Sequence, residues 1–315
     1  MAKPIKCCVC HEPVEPPYHV LGQRVYCERH YARVNKPHPG FWRAGVLQIV
    51  AMGVFAVLVT LIAESIGALE GTPLIIAGWF LAIVPTVLWL VYFYQQDRLE
   101  PEPKTKIAAV FFLALILTDF IGLRLIHDWF RLHDWSGVNR MTSLLASIFI
   151  VGFTFEAIKY FVIRLTVWTT EEFDERMDGI VYGTVAGLGV ATLLNLNHII
   201  ANQGVSLGPG VVYTVTTALA QASFGGVLGY FMAQAKFEHK PIWWVPLGVC
   251  VAAVLDGFFT WVIDEVSAAG LTVEPWRSLV LGIIVALAVF GVLLALMQRA
   301  NVLTRQQTSS PSVNP

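Results

Sequence analysis

Charge is what this sequence has least of. Of its 315 residues only 14% are Asp, Glu, Lys or Arg, and 56% are hydrophobic. Soluble domains carry about a quarter charged residues. With a mean hydropathy of +0.64, the totals alone place this chain among membrane proteins. The formal net charge is -1, and no basic excess points to a nucleic-acid partner. The opening "MAKPIKCCVC" lacks an apolar core segment, so no cleavable signal peptide is expected. Cysteine is absent after residue 27 except for Cys250, which excludes a disulfide framework and leaves a local metal site. No internal repeat and no alternating ten-residue pattern occurs, which argues against a membrane barrel.

What the sequence does have is long apolar runs. Eight of them, roughly 44–68, 73–95, 107–126, 143–167, 180–200, 210–235, 241–264 and 277–299, are each long enough to cross a hydrocarbon core of about 30 Å as a helix. Single strands could not cross with their backbone unsatisfied. The expected fold is therefore all-α: a polytopic bundle of about eight transmembrane helices, preceded by a small N-terminal module. Sixteen Lys and Arg lie at or beyond the helix ends on the side of the two termini, and four on the opposite side. The positive side faces the cytoplasm. The chain is thus expected to be integral to the cytoplasmic (plasma) membrane with both termini cytoplasmic, and the bilayer is its first partner. The expected divisions are a module over 1–36, a linker over 37–43, the bundle over 44–300 and a disordered tail over 301–315.

The module reads "CCVCHEPVEPPYHVLGQRVYCERHY". Cys7 and Cys10 are two residues apart, and so are Cys27 and His30, with sixteen residues between the pairs. Three thiolates and an imidazole suit a closed, tetrahedral, structural zinc. "YHVLGQRVY" alternates about a "GQ" turn, a hairpin pattern. A knuckle, a hairpin and a final pair at a helix start resemble a treble-clef finger, similar to one half of a LIM domain. So short a segment would draw its folding energy from the metal. Cys8 and His11 are spare donors. Such a module more often binds a partner or stiffens a terminus than catalyses.

Ionisable residues at membrane depth are functional candidates. Glu156 and Lys159 lie at i and i+3 in the fourth helix, where they share a face. Asp256 lies in the seventh, Asp119 in the third and Glu64 near the end of the first. The fifth helix carries Gly179, Gly183, Gly187 and Gly189, a spacing that lets another helix approach closely. It ends in "VATLLNLNHII", with Asn195, Asn197 and His198. A plainer account of these groups is a tightly packed helix with asparagine cross-links and a structural Glu–Lys pair. "IHDWFRLHDW" (126–135) repeats His-Asp-Trp in a stretch expected to be an outer loop. His127, Asp128, His133 and Asp134 are possible ligands there, but Trp129 and Trp135 more simply make an interfacial anchor.

"YQQDRLEPEPKTK" (94–106), "FEAIK" (155–159) and "DGIVYGTVAGLGVATLLN" (178–195) resemble, in order, the signatures of the PrsW-type intramembrane proteases. "GGVLGYFMAQAK" and "AAVLDGF" are similar to that family's later helices. The resemblance covers roughly residues 90–260 and omits the cysteine module. It implies metal-dependent, site-one type cleavage of a membrane protein, in which carboxylates and imidazoles hold a metal that activates water and a glutamate is the general base. It also implies that Glu156, Lys159, Asn195 and Asp256 occupy catalytic positions.

The chain departs from that pattern at several of those positions. The first glutamate of the Glu-Glu-x-x-Lys motif is Phe155, and the glutamate of Glu-Asn is Leu194. The sixth helix should bring a histidine, yet none occurs between His198 and His239. The histidine of His-x-x-x-Asp is Ala252. His198 lies one turn beyond Leu194 and could substitute as a membrane ligand, but depth opposes it. At a rise of 1.5 Å per residue, Glu156 is ~15 Å and His198 ~27 Å from the cytoplasmic side. A second metal in the membrane domain is therefore doubtful. Three readings follow: a degenerate pseudoenzyme that binds or regulates a protein partner through the finger or the membrane cavity, an active protease with a remodelled site, and a small-molecule carrier or channel. Residue chemistry favours the first.

Overall fold

The computed structural model describes residues 5–16, 18–21, 24–35, 40–66, 69, 71–96, 102–201, 207–238, 240–270 and 275–306. The N-terminal module is a two-stranded antiparallel hairpin, β1 (His19–Leu21) and β2 (Arg24–Tyr26), followed by α1 (Glu28–Val34). Its register pairs His19 with Tyr26, Val20 with Val25 and Leu21 with Arg24. The "GQ" turn, Gly22 and Gln23, lies outside the described residues. Among the described residues Tyr26 and Val34 form a buried cluster here, with Cys8, Val9, Leu21 and Tyr31 partly buried against it, little apolar surface to hold the module by itself.

Among its described residues the membrane domain has no strand and is built from helices: α2 (Gly40–Ile66), α3 (Thr72–Gln96), α4 (Lys104–Leu117), α5 (Leu132–Trp135), α6 (Arg140–Ala146), α7 (Phe153–Thr166), α8 (Arg176–Ala201), α9 (Leu207–Phe237), α10 (Trp244–Gly270) and α11 (Pro275–Gln306). Eight segments among the described residues are long and apolar enough to span a membrane. One difference from the sequence reading stands out. The third span does not end near 126. It continues through π-helical turns at Thr118–Leu123 and Leu125–Trp129, breaks at Phe130 and the left-handed Arg131, and resumes as the short α5, so each His-Asp-Trp repeat lies in a helical turn on either side of that break. At the bundle's ends α2 begins at Gly40, whose φ of +78° is in the left-handed region, and α11 runs to Gln306. Residues 307–315 lie outside the described ones.

α8 and α9 form the centre. In their most apolar stretches 89% and 83% of residues are buried, against 11% in α2. Glycine makes that possible. A Cβ at Gly179, Gly183 or Gly187 of α8 would collide with the backbone of Gly229, Gly225 or Gln221 of α9. The two backbones therefore touch directly, the close approach that drives helix association where lipid supplies no hydrophobic contrast. Gly189 faces the Phe111 carbonyl of α4, and Gly152 the Ala253 carbonyl of α10. Lipid would cover the other faces, where Val46, Leu47, Ile76 and Phe112 are exposed.

Adding a side chain at the α8–α9 contact forces the helices apart. Gly183→Val is expected to cost about 3 kcal/mol, the upper end of ordinary overpacking. Gly53→Val should be near neutral, since nothing lies within 4 Å of a Cβ there. Thermal unfolding of the two variants in detergent checks the contrast.

Candidate functional site

The i, i+3 spacing on α7 puts Glu156 and Lys159 on the face turned towards α9 and α10. Both are fully buried, as is Asp256 of α10. The Lys159 ammonium donates to Glu156 Oε1 at 2.5 Å and to Gln221 Oε1 at 2.7 Å. It stands 3.7 Å from Asp256 Oδ2. Gln221 Nε2 in turn donates to Asp256 Oδ1 at 2.7 Å. One ammonium and one amide thus tie three helices together. The cation also lies 5.7 Å from the centre of the Phe224 ring. Burying charge in hydrocarbon requires such pairing.

This set does not fit a zinc-like transition metal. It offers two carboxylates and an amide, without imidazole or thiolate, and a positive charge already lies between the carboxylates. The soft or borderline donors that transition metals prefer are missing. Among the described residues, the only cluster of three or more His, Cys, Asp or Glu ligands is the one in the N-terminal module.

Gln221 escaped the sequence reading. It sits in "TALAQASFGG" on α9, the span from which the resemblance expects a histidine. Its only signal was a lone amide in an apolar run. Gln221 and Thr260 also wall a cavity of about 190 Å³, and Phe155 and Leu194 line the same space. Two positions where the resemblance expects glutamate and Gln221 of the sixth span therefore converge on one cavity. Thr217 Oγ1, buried on its wall, has no hydrogen-bond partner among the described residues. His127 and His133 line the opening, their rings stacked 5.2 Å apart. Trp129 points outward and is 82% exposed.

The other candidates lie apart from this network. Asn195 is buried and donates to the Thr214 carbonyl at 3.2 Å, a cross-link from α8 to α9. No hydrogen bond among those described joins it to Glu156, Lys159 or Asp256. His198 stacks on Tyr213, with ring centres 3.9 Å apart, and belongs to no ligand cluster.

In the N-terminal module the ligand atoms of Cys7, Cys10, Cys27 and His30 all lie within 4.8 Å of one another. The Cys27 Sγ–His30 Nδ1 separation is 3.1 Å, Cys7 Sγ–His30 Nδ1 is 3.6 Å and Cys10 Sγ–Cys27 Sγ is 4.0 Å. A tetrahedral ion with bonds of about 2.3 Å needs donors roughly 3.7 Å apart. Cys8 and His11 are not in the cluster. Burial opposes ionisation of the Cys7 thiol, but backbone N–H groups of Cys27, Cys10 and Val9, with His30, overcome it and hold the thiol down at about 6. Burial pushes the Cys8 thiol up to about 11.

The comparisons with known proteins come from the membrane domain. A family model described as PrsW family intramembrane metalloprotease matches residues 102–297. Protease PrsW of Bacillus subtilis (strain 168) is 29% identical over 191 residues, covering 59% of this chain and 82% of that protein. Protease PrsW of Geobacillus kaustophilus is 28% identical over 187 residues, covering 58% and 77%. That of Clostridioides difficile is 24% identical over 189 residues, covering 59% and 78%. No solved structure matches the chain. The N-terminal module lies outside the family match.

Lys159 is the test of the buried network. Lys159→Met strands two carboxylates away from water and should destabilise the fold by about 3–5 kcal/mol. Adding Glu156→Gln should recover part of that loss. Unfolding in detergent measures both, and a Lys159→Met protein as stable as wild type would refute the account.

Proposed function

The chain belongs to the PrsW family of intramembrane metalloproteases, and from that premise we propose that it is a catalytically degenerate member that acts by binding or regulating a membrane protein. The observation that carries this reading is the cavity wall, where Phe155 and Leu194 stand at the two positions that the resemblance expects to be glutamate. Beside it Lys159 stands between Glu156 and Asp256 and Gln221 bonds both Lys159 and Asp256, while Glu156 Oε2 and Asp256 Oδ2 have no hydrogen-bond partner among the described residues. Water activation by a metal needs several anionic or imidazole ligands around an open coordination position. Here an ammonium already neutralises the carboxylates, and Glu156 Oε1 and Asp256 Oδ1 are taken by Lys159 and Gln221. The adjacent cavity is mostly apolar, Phe155 and Leu194 among its lining, with His127, His133, Tyr213, Thr217, Gln221 and Thr260 as its polar points. A space of that kind suits a side chain or a locally unwound segment of a partner. On this reading Glu156, Lys159 and Asp256 are structural relics of the site, and Asn195 is a cross-link.

The four ligands of the N-terminal module hold one structural zinc, the ion their donor set and spacing fit best. The Lys and Arg bias puts both termini in the cytoplasm, where thiols stay reduced.

One observation favours a retained protease. His127 and His133 line the cavity beside Gln221 and Thr260, so two imidazoles are present although not at the family's positions. The carrier reading lacks such support, since Glu156, Lys159 and Asp256 do not line that cavity.

Metal analysis of the purified full-length protein separates these readings. One zinc per chain is expected, and none in a Cys10→Ser/Cys27→Ser variant. A second equivalent that survives in that variant and is lost on His127→Ala or Asp256→Asn would overturn degeneracy and revive the enzyme.

A further inference from the structure

The module outside the family match reaches into the membrane domain at one point. Arg24, the first residue of β2, forms an ion pair with Asp174, in the stretch between α7 and α8. The Arg24 side chain is only 12% exposed. Behind Asp174 stand two buried carboxylates, Glu175 and Glu102. Burial pushes each of them up to about 7. The Arg24 charge opposes the rise at both, and the Tyr182 hydroxyl, which donates to Glu102, also opposes it there. The neighbouring basic residues are committed elsewhere. Arg176 pairs with Glu238, and Lys236 donates to the carbonyls of Trp168 and Phe173.

The segment that receives Arg24 governs the start of the central helix. Asp178, in the first turn of α8, accepts the backbone N–H groups of Asp174 at 2.7 Å and Glu175 at 2.6 Å. The segment is thereby folded back on the helix end, an anchoring that satisfies backbone donors just ahead of the helix. α8 then leads through the glycine contacts to Leu194 on the cavity wall.

The metal cluster governs the position of Arg24. Cys27 follows it by three residues, and the Val25 carbonyl accepts the N–H of Cys8, next to Cys7. Two ligands thus bracket the strand that carries the guanidinium. With a buried core of Tyr26 and Val34, the hairpin depends on the metal for its shape.

We propose that the N-terminal finger is a metal-dependent clamp: loaded, it seats Arg24 among Asp174, Glu175 and Glu102 and locks the segment ahead of α8, and on metal loss it withdraws Arg24 and frees that segment. The clamp rests on the metal reading of Cys7, Cys10, Cys27 and His30 given above. It does not depend on whether the membrane site is catalytic.

Hydrogen exchange of full-length protein in lipid nanodiscs tests it, with metal content measured on every sample. Treatment with a zinc chelator, Arg24→Gln and Asp174→Asn should each speed exchange of the amides over 172–178 by about tenfold or more, the scale of a lost charge-assisted hydrogen bond. Arg24→Lys should retain most of the protection. Arg24→Gln and Asp174→Asn should keep their metal. Unchanged exchange in both of these metal-bearing variants overturns the docking. Unchanged exchange after the metal has been removed overturns its metal dependence. A wild-type protein that holds no metal overturns the metal reading and the metal dependence together, while Arg24→Gln and Asp174→Asn still judge the docking itself.

Discussion

The backbone contact between α8 and α9 is the constraint on which the rest of the molecule depends. At Gly187 there is no room for a Cβ against the Gln221 carbonyl. That contact fixes where Gln221 sits, and Gln221 decides how the buried charges are arranged. Its side-chain oxygen takes Lys159 and its nitrogen serves Asp256. Helix association in lipid cannot draw on apolar burial, so close packing and hydrogen bonding supply it. Glycine backbone and a polar amide act here at the same level of one helix pair.

On the proposed reading the family scaffold persists around a site whose chemistry has changed. Two of the residues that depart from the resemblance, though not Ala252, share one place. Phe155 and Leu194 come from α7 and α8 and meet in one cavity, with Gln221 on α9 beside them. Apolar side chains in place of carboxylates remove the charge that a metal would balance. The remaining carboxylates then have Lys159 as their counter-ion. Substitutions of this kind are mutually consistent, since a buried acid without a cation would be costly.

The N-terminal module is joined to this domain electrostatically. The acidic recess at the start of α8 combines Glu102, which lies beside the third span, with Asp174 and Glu175 from the segment ahead of the fifth. A guanidinium carried on the hairpin is well suited to it, because the planar donor fork can serve more than one carboxylate.

Local chemistry made much of this legible in the sequence. Eight spans follow from hydropathy, because a run of about 20 apolar residues has few alternatives. Cys7, Cys10, Cys27 and His30 were legible because two-residue spacings bring donors together within one turn of chain. The i, i+3 pair of Glu156 and Lys159 was legible for the same reason. Other features were out of reach. Gln221 lies 62 residues from Lys159 and 35 from Asp256, and no local pattern announces that they meet. The π-helical turns that carry the third span past residue 126 leave no mark in a hydropathy profile. Asn195 looked like a member of the site, yet the rotation of α8 turns it to the Thr214 carbonyl. The sequence by itself determined which segments are helices and which groups must be paired. Tertiary structure alone decided the partners, because in a bundle of long helices a small rotation of one helix changes which of its faces a buried side chain meets.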